Sequence, residues 1–261
     1  MSTTTTDIRV TFPRLLHSEW IKLWTVRSTW WVVPIAIAAQ VGFAWMIAYF
    51  GVQQAGANDP GLFTADVLVA GIQFAQLAVC VLAVMTLTGE YSTGMIRSTM
   101  TAAPRRIPAI VAKGIVVVAV SLVIGVISNL LSWLVTYPVL GETYRLDLAS
   151  GTNQRILLGS PLYLAAIALL AYAIGALLRH TAAGIAAVLG LLLVVEPLIA
   201  SVPWKFFQTI APYMPQSAGS QILFEQMPDA TLTPWQGMGV LTLWALALSV
   251  LAAVLLRHRD V

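Results

Sequence analysis

The sequence predicts an all-α, polytopic membrane protein with six transmembrane helices, an N-terminal amphipathic elbow helix and both termini in the cytoplasm. Two observations predict this fold class. Charged residues make up only 10% of the 261-residue chain, against roughly 25% in soluble domains. Several long stretches carry no charge at all, and a helix needs about 20 apolar residues to cross the hydrocarbon core of a bilayer.

The uncharged stretches define the predicted spans. Five are long enough outright, and a sixth reaches the required length if it continues past a single carboxylate, Glu196. The predicted spans cover residues 29–50, 65–88, 111–137, 157–178, 182–202 and 236–256. Around them we expect a disordered tail over 1–12, one transmembrane domain over 13–261, a loop over 89–110 and a Pro-rich outer segment over 203–235.

Positive charges orient these spans. If the N-terminus is cytoplasmic, the outer segments hold only three of the 14 basic residues, namely Arg145, Arg155 and Lys205. Cytoplasmic loops carry an excess of Lys and Arg, so the bias places both termini in the cytoplasm. The N-terminal segment is polar and lacks the short apolar core of a cleavable signal peptide. The sequence therefore predicts a multi-pass protein of the cell membrane.

The segment before the first span has an amphipathic pattern and begins with Pro13, which suits a helix start. A helical wheel groups apolar side chains on one face and polar ones on the other: Leu16, Trp20, Leu23 and Trp24 against Arg14, Ser18, Lys22 and Thr25. Helices of this kind lie in the headgroup plane. Two interpretations stay open, a simple anchor that orients the first span and an elbow helix that also contacts a partner protein.

The loop after the second span carries the most distinctive residues, Gly89-Glu90-Tyr91-Ser92-Thr93-Gly94-Met95-Ile96-Arg97. Glu90 is predicted to end the apolar helix, and Ser92 or Thr93 to cap a short new helix that carries Met95 as an apolar knob. One interpretation is an ordinary positively charged cytoplasmic loop. The favoured one is a short helix that docks in a groove of a cytosolic protein.

These segments resemble a known family, the type 2 ABC exporter permeases, especially actinobacterial ones. The similarity lies in Ser18-Glu19-Trp20-Ile21-Lys22-Leu23, in the segment from Gly89 to Arg97, and in Pro104-Arg105-Arg106. The six-span plan and the outer stretch Ala211-Pro212-Tyr213-Met214-Pro215 are similar too. The resemblance implies the transmembrane permease subunit of an ATP-driven exporter, paired with a second copy as a homodimer or with a second permease.

The resemblance also implies roles for particular residues. A coupling helix would contact a cytosolic ATPase subunit through Glu90, Tyr91, Thr93, Gly94, Met95 and Arg97. The elbow helix beside it would contain Glu19, Trp20, Lys22 and Trp24. A lid over the exit path would contain Pro212, Tyr213 and Pro215, for which the alternative is an aromatic loop resting on headgroups.

The chain has no G-x-x-x-x-G-K-[ST] loop for binding ATP phosphates. Under this interpretation ATP and Mg belong to the partner ATPase, and this chain carries no cofactor and no catalytic residue. Lipids are the other expected partners, whereas a net charge of only +3 does not indicate nucleic acid. No two histidines have metal-ligand spacing, so no metal site is predicted.

A few polar residues fall inside the predicted spans. Gln73, Gln76 and Asn129 are candidates either to line a translocation path or to hydrogen-bond between helices, which contributes about 0.6 kcal/mol on average. Glu196 is a further path candidate, because a charge in lipid costs about 2.5–3.5 kcal/mol on insertion scales. It is expected to reach the outer interface or to face a cavity between two copies.

Other classes of function match the sequence less well. Intramembrane catalysis needs a nucleophile with a base, or a metal pair, at membrane depth, and no histidine lies in a predicted span. A secondary transporter usually has intramembrane ionisable residues and broken helices, for which Glu196-Pro197 is the only sign. A non-transporting anchor or immunity subunit is the remaining alternative.

Overall fold

The computed structural model describes residues 11–55, 65–95, 106–140, 147, 149–225 and 230–258. Over these residues the protein is all-α, with six helical segments long and apolar enough to cross a membrane. The predicted all-α class with six membrane-spanning segments is therefore confirmed, and the cytoplasmic position of the termini stays a prediction. The predicted disordered tail lies almost entirely outside the described residues.

The helices follow one another with short connections. An N-terminal helix α1, Phe12–Thr25, precedes the first span, α2, Arg27–Ala55. The second span consists of α3, Ala65–Val69, and α4, Ile72–Ser92; the third is α5, Arg106–Leu140; and the fourth is α6, Gly151–Leu178. The fifth combines α7, Thr181–Gly190, a π-helical turn, Leu191–Val195, and α8, Glu196–Ser201.

The remaining elements follow the fifth span. They are α9, Lys205–Ile210; a 3₁₀ turn, Ala211–Tyr213; α10, Pro215–Gly219; a second 3₁₀ turn, Ser220–Leu223; and the sixth span α11, Pro234–His258. Several helices run past the predicted spans, because the hydrocarbon core limits the apolar stretch and not the helix itself.

The second and fourth spans form the centre of the bundle. In the most apolar stretch of each of these two spans, 67% and 72% of the residues are buried inside the protein. The corresponding share is 22% for the first, fifth and sixth spans. Helix α6 packs against α4, α5, α7 and α11. The outer spans therefore present broad apolar faces to their surroundings, as expected of helices in lipid.

Alternating helix directions give the bundle two distinct ends. We call the end that holds α1, the last turn of α4 and the first turns of α5 the elbow end. The opposite end, which holds residues 202–225, is the loop end. The distribution of basic residues predicts that the elbow end faces the cytoplasm.

A glycine interrupts the second span where it crosses α2. A Cβ atom on Gly71 would lie 2.5 Å from the Cα atom of Gln40 and 2.6 Å from its carbonyl oxygen. No larger residue fits between the two backbones at this crossing, where α2 and α4 are in close contact. The span is interrupted at the same place, since α3 ends at Val69 and α4 begins at Ile72.

A proline distorts the fifth span. Pro197 has no backbone N–H, so the usual bond to the carbonyl four residues earlier is lost. The preceding turn widens to a π-turn, in which the Glu196 N–H donates to the carbonyl of Leu191. Such turns occur frequently at functional sites, and here Glu196 is only 2% exposed.

We predict that Gly71→Ala destabilises the protein by about 1–3 kcal/mol, because the added methyl group overlaps the α2 backbone. Gly42→Ala is the matched control, since a Cβ there meets nothing within 4 Å. In a helix that control change favours folding by roughly 0.5–1 kcal/mol. Thermal unfolding of the detergent-solubilised chain measures both, and equal midpoints for the two variants would contradict the close crossing.

Candidate functional site

The end of α4 projects a short exposed segment at the elbow end. The helix continues past Glu90 to Ser92, and Gly94 then adopts a positive φ of 73° that ends it. The hydroxyl groups of Ser92 and Thr93 each donate to the Gly89 carbonyl at 2.9 Å. These hydroxyls therefore close the end of α4, where the sequence predicted that one of them would cap a following helix. We call Ser92 to Met95, all of them exposed, the 92–95 segment.

Glu90 turns away from this segment into the protein, and its side chain is 3% exposed. The Lys113 Nζ atom on α5 lies 2.8 Å from Glu90 Oε1 and 2.5 Å from Glu19 Oε2 on α1. The Lys22 Nζ atom lies 2.7 Å from Glu19 Oε1 and 3.2 Å from Glu90 Oε1. We call Glu19, Lys22, Glu90 and Lys113 the four-charge cluster.

The cluster is electrically balanced, with two carboxylates facing two ammonium groups. Glu19, Glu90 and Lys113 are each at most 4% exposed, whereas Lys22 is 31% exposed. Burial favours the neutral amine of Lys22, but the hydrogen bond to Glu19 and the charge of Glu90 outweigh it and raise the Lys22 pKa. Lys22 therefore stays charged at neutral pH, and α1, α4 and α5 are held together by paired buried charges.

The cluster changes the interpretation of three predicted site residues. The helical wheel places Lys22 on the polar face of the elbow helix, yet its Nζ atom points inward, because its partners lie on both α1 and α4. Glu19 is buried as well. The contact predicted between Glu90 and a partner subunit stays a prediction, but the buried Glu90 side chain can act on that contact only by positioning the 92–95 segment.

Sequence reasoning did not single out Lys113. A signal was present, since this lysine stands between Ala112 and Gly114 at the start of an apolar span, where a charge needs a partner. Glu90 lies at the start of the predicted loop 89–110 and Lys113 lies three residues after its end, so their ion pair closes the base of that loop. Arg97, the remaining predicted contact residue, lies outside the described residues.

Aromatic side chains are present on both α4 and α1 at the elbow end. The Arg179 guanidinium lies 5.5 Å from the ring centroid of Tyr91, so the turn after α6 borders the start of the 92–95 segment. On α1, Trp20 makes an edge contact with Trp24, and the Trp30 Nε1 group donates to the Trp24 carbonyl at 2.8 Å. Trp20 is 43% exposed, as expected of an interfacial anchor.

Asn129 is occupied by contacts within the chain. Pro161 lacks an N–H, which leaves the Leu157 carbonyl of α6 without its helical donor. Asn129 Nδ2 donates to that carbonyl at 3.0 Å and to Ser160 Oγ at 2.7 Å. Its Oδ1 atom accepts from Gln40 Nε2 at 2.8 Å. Asn129 therefore supplies the hydrogen bond that Pro161 removes from α6. Hydrogen bonding between helices is one of the two roles that the sequence left open for this residue.

The two other polar candidates on the second span join a second network. The Tyr163 hydroxyl donates to Gln76 Oε1 at 2.5 Å. Gln76 Nε2 lies 2.6 Å from Gln73 Oε1 and 3.3 Å from Gln216 Oε1. This network connects α4 and α6 to the outer segment, so Gln76, which is 1% exposed, faces the interior of one chain.

Glu196 holds the start of α10. Its two carboxylate oxygens accept from the backbone N–H groups of Gln216 and Ser217, each at 2.9 Å, and from the Ser217 hydroxyl at 3.0 Å. First-turn N–H groups have no partner within their own helix, so the carboxylate satisfies them. Glu196 is thus surrounded by donors of its own chain, and its expected position at the outer interface or in a cavity between two copies stays a prediction.

The outer segment has two unlike parts. Residues 215–223 are packed deep in the bundle, with Ile222 and Leu223 fully buried. A Cβ on Gly159 would lie 2.5 Å from the Ile222 side chain. Residues 202–214 are more exposed, although the Tyr213 carbonyl accepts from Trp244 Nε1 at 3.0 Å. Of the predicted lid residues Pro212, Tyr213 and Pro215, the last belongs to the packed part, so a moving lid would be limited to residues 202–214.

Comparison of the chain with protein-family models and with curated proteins finds no match. Within the described residues, no group of three His, Cys, Asp or Glu side chains comes together as a metal site. The thiol of Cys80 is buried within the second span. The four-charge cluster and the exposed segment it supports are therefore the best-defined candidate site.

We predict that Lys113→Met destabilises the protein by about 3–5 kcal/mol, because it leaves two buried carboxylates facing one ammonium group. Adding Glu90→Gln should recover part of that loss, since Glu19 and Lys22 then form a balanced pair. Lys205→Met, at an exposed lysine of the loop end, is the control and should change stability by less than about 0.5 kcal/mol. If Lys113→Met unfolds at the same denaturant concentration as the control, the cluster does not form.

We also predict that Asn129→Leu costs about 1–3 kcal/mol, because it leaves the Leu157 carbonyl without a donor. In a Pro161→Ala background the cost should be smaller, since the new N–H at position 161 can donate to Leu157. A double-mutant cycle on unfolding free energies measures the difference. An identical cost in both backgrounds would show that Asn129 does not compensate for the proline.

Proposed function

We propose that this chain is the transmembrane permease subunit of an ATP-driven exporter and that it docks a separate ATPase subunit at the elbow end. The observation that carries the proposal is the exposed 92–95 segment, whose base is closed by the Glu90–Lys113 ion pair and joined to the elbow helix through Glu19. The resemblance of this segment to the coupling region of type 2 permeases supports the same assignment.

The geometry suggests how motion would pass from the partner to the spans. ATP binding would draw two ATPase subunits together and displace the 92–95 segment. Because removing one partner of a buried ion pair costs about 3–5 kcal/mol, the cluster would move as a unit and carry α1, α4 and α5 with it. The spans would then rock between inward-open and outward-open arrangements. ATP and Mg would be held by the partner chain.

The proposed path lies between two permease copies. The first, fifth and sixth spans leave most of their surface uncovered within one chain, which is consistent with a second copy, or a related permease, packed against part of it. Asn129, Gln76 and Glu196 are satisfied inside the chain. A path lined by the remaining, mostly apolar surface would suit amphipathic or apolar cargo.

A secondary transporter is the second candidate, and the break in the second span favours it. Broken helices at membrane depth commonly form ion or substrate sites in such transporters. Here the break at Gly71 is filled by the α2 backbone around Gln40. We therefore rank this function below the ATP-driven one.

Copurification tests the proposed function. A tagged full-length chain extracted from its native membrane in mild detergent should bring down a chain with a G-x-x-x-x-G-K-[ST] loop and magnesium-dependent ATP hydrolysis. Thr93→Lys should reduce the recovered ATPase activity at least about tenfold, the effect of losing about 1.4 kcal/mol at the contact, because a long charged side chain then stands in the docking surface.

Thr209→Lys is the matched control at the loop end. Both threonines are exposed, and both hydroxyls donate to the carbonyl four residues earlier, at 2.9 Å for Thr93 and 2.8 Å for Thr209. The control should retain full ATPase recovery. Equal recovery of ATPase activity with both variants would show that the 92–95 segment does not contact the ATPase. Transport driven by an ion gradient without any ATPase would favour a secondary transporter.

A further inference from the structure

An open groove runs along the side of the bundle at the loop end. It has a volume of about 700 Å³ and lies between α5, α6 and the first turn of α11. Its walls include Val126, Leu130, Trp133, Leu158, Leu162 and Trp235. We call this space the lateral groove.

The surface of the groove is hydrocarbon. Asn129 is the one polar residue among those that line it, and its side chain is turned toward Gln40, Leu157 and Ser160. Leu158 is 68% exposed and Leu130 60%. The floor is shaped by the close approach of two helices, since a Cβ on Gly125 would lie 2.7 Å from the Pro161 Cα atom. An occupant must therefore be apolar along its length.

The length of the groove matches one leaflet. On α5 it extends from Leu122 to Trp133, which is about 16 Å at roughly 1.5 Å per residue. The hydrocarbon core of a bilayer is about 30 Å thick, so the groove covers about half of it. Two of its residues, Trp133 and Trp235, are tryptophans, the residue type that settles at the headgroup boundary. These dimensions fit an acyl chain of the leaflet at the loop end.

Charges beyond the groove favour one kind of headgroup. Arg155 stands one helical turn beyond Leu158 on α6, and its Nη2 atom donates to the Phe224 carbonyl at 2.7 Å. A guanidinium has five N–H donors, so donors remain for a phosphate, which arginine binds well. Glu225 directly follows Phe224 in the chain, so it lies beside the Arg155 guanidinium that this carbonyl holds. A neighbouring cation and anion complement a phosphate and an ammonium group.

We propose that the lateral groove binds one phosphatidylethanolamine molecule, with an acyl chain along α5 and α6, the phosphate on Arg155 and the ammonium group on Glu225. The site requires only that the chain lie in a membrane, so it does not depend on the proposed transport function.

Photolabelling tests the site directly. The full-length chain is reconstituted into phosphatidylglycerol vesicles that contain a trace of phosphatidylethanolamine with a diazirine on one acyl chain, and adducts are mapped by peptide mass. Leu158 and Leu243 are both 68% exposed, but only Leu158 lines the groove. We expect adducts near Leu158 to exceed those near Leu243 several-fold. Equal labelling would show ordinary contact with bulk lipid and overturn the proposal.

Competition tests the headgroup. Unlabelled phosphatidylethanolamine that replaces a small part of the phosphatidylglycerol should displace the probe well beyond its share of the bilayer lipid, and displacement only in proportion to that share would overturn the assignment of the ammonium group to Glu225. Arg155→Gln should weaken groove labelling about tenfold, because a hydrogen bond to a charged group is lost. Unchanged groove labelling in this variant would overturn the role of Arg155.

A blocking variant completes the test. Leu158→Trp should fill part of the groove and suppress its labelling, whereas Leu243→Trp, at a position of equal exposure, should leave groove labelling unchanged. Persistence of groove labelling in Leu158→Trp would contradict the proposed chain position. If Leu158→Trp fails to insert, the adduct map of the unmodified chain and the Arg155→Gln result decide the question.

Discussion

The buried pairing of Glu19 and Glu90 with Lys22 and Lys113 is the interaction on which the elbow end depends. If one of these helices were absent, the charges on the other two would be buried without their full set of partners. The helices α1, α4 and α5 can therefore pack together only as a set. The same pairing holds the last turn of α4 in place and so determines how the 92–95 segment is displayed. A local electrostatic requirement thus determines the surface that is offered to a partner.

Elsewhere the bundle follows one constraint, that backbone groups at membrane depth must find partners inside the protein. Pro161 and Pro197 each remove a helical donor. Asn129 supplies the donor that Pro161 lacks, and the turn before Pro197 widens to a π-turn. Glu196 meets the free N–H groups of α10. Two of the polar side chains that are candidates for a translocation path, Asn129 and Glu196, therefore form hydrogen bonds that satisfy backbone groups of neighbouring helices.

The sequence was sufficient to predict the six spans and the all-α class. A helix that crosses a bilayer must contain a long uncharged stretch, and such stretches can be recognised without knowing the packing of the helices. It could not predict the partners of the buried charges. Lys22 and Lys113 are far apart in sequence, and only the packing of α1 on α5 brings them to the same carboxylates. The helical wheel failed for Lys22 because a wheel separates polar from apolar faces and cannot show a polar contact that faces inward.

Accessibility of the 92–95 segment tests the central claim most directly, since that claim requires the segment to lie in the cytoplasm. Met95→Cys and Phe206→Cys, at exposed positions of the two ends, are treated in intact cells with a membrane-impermeant maleimide, and Cys80 does not interfere because it is 1% exposed. The account predicts that Phe206→Cys is labelled at once and that Met95→Cys is labelled only after the membrane is opened. Labelling of Met95→Cys in intact cells would contradict it.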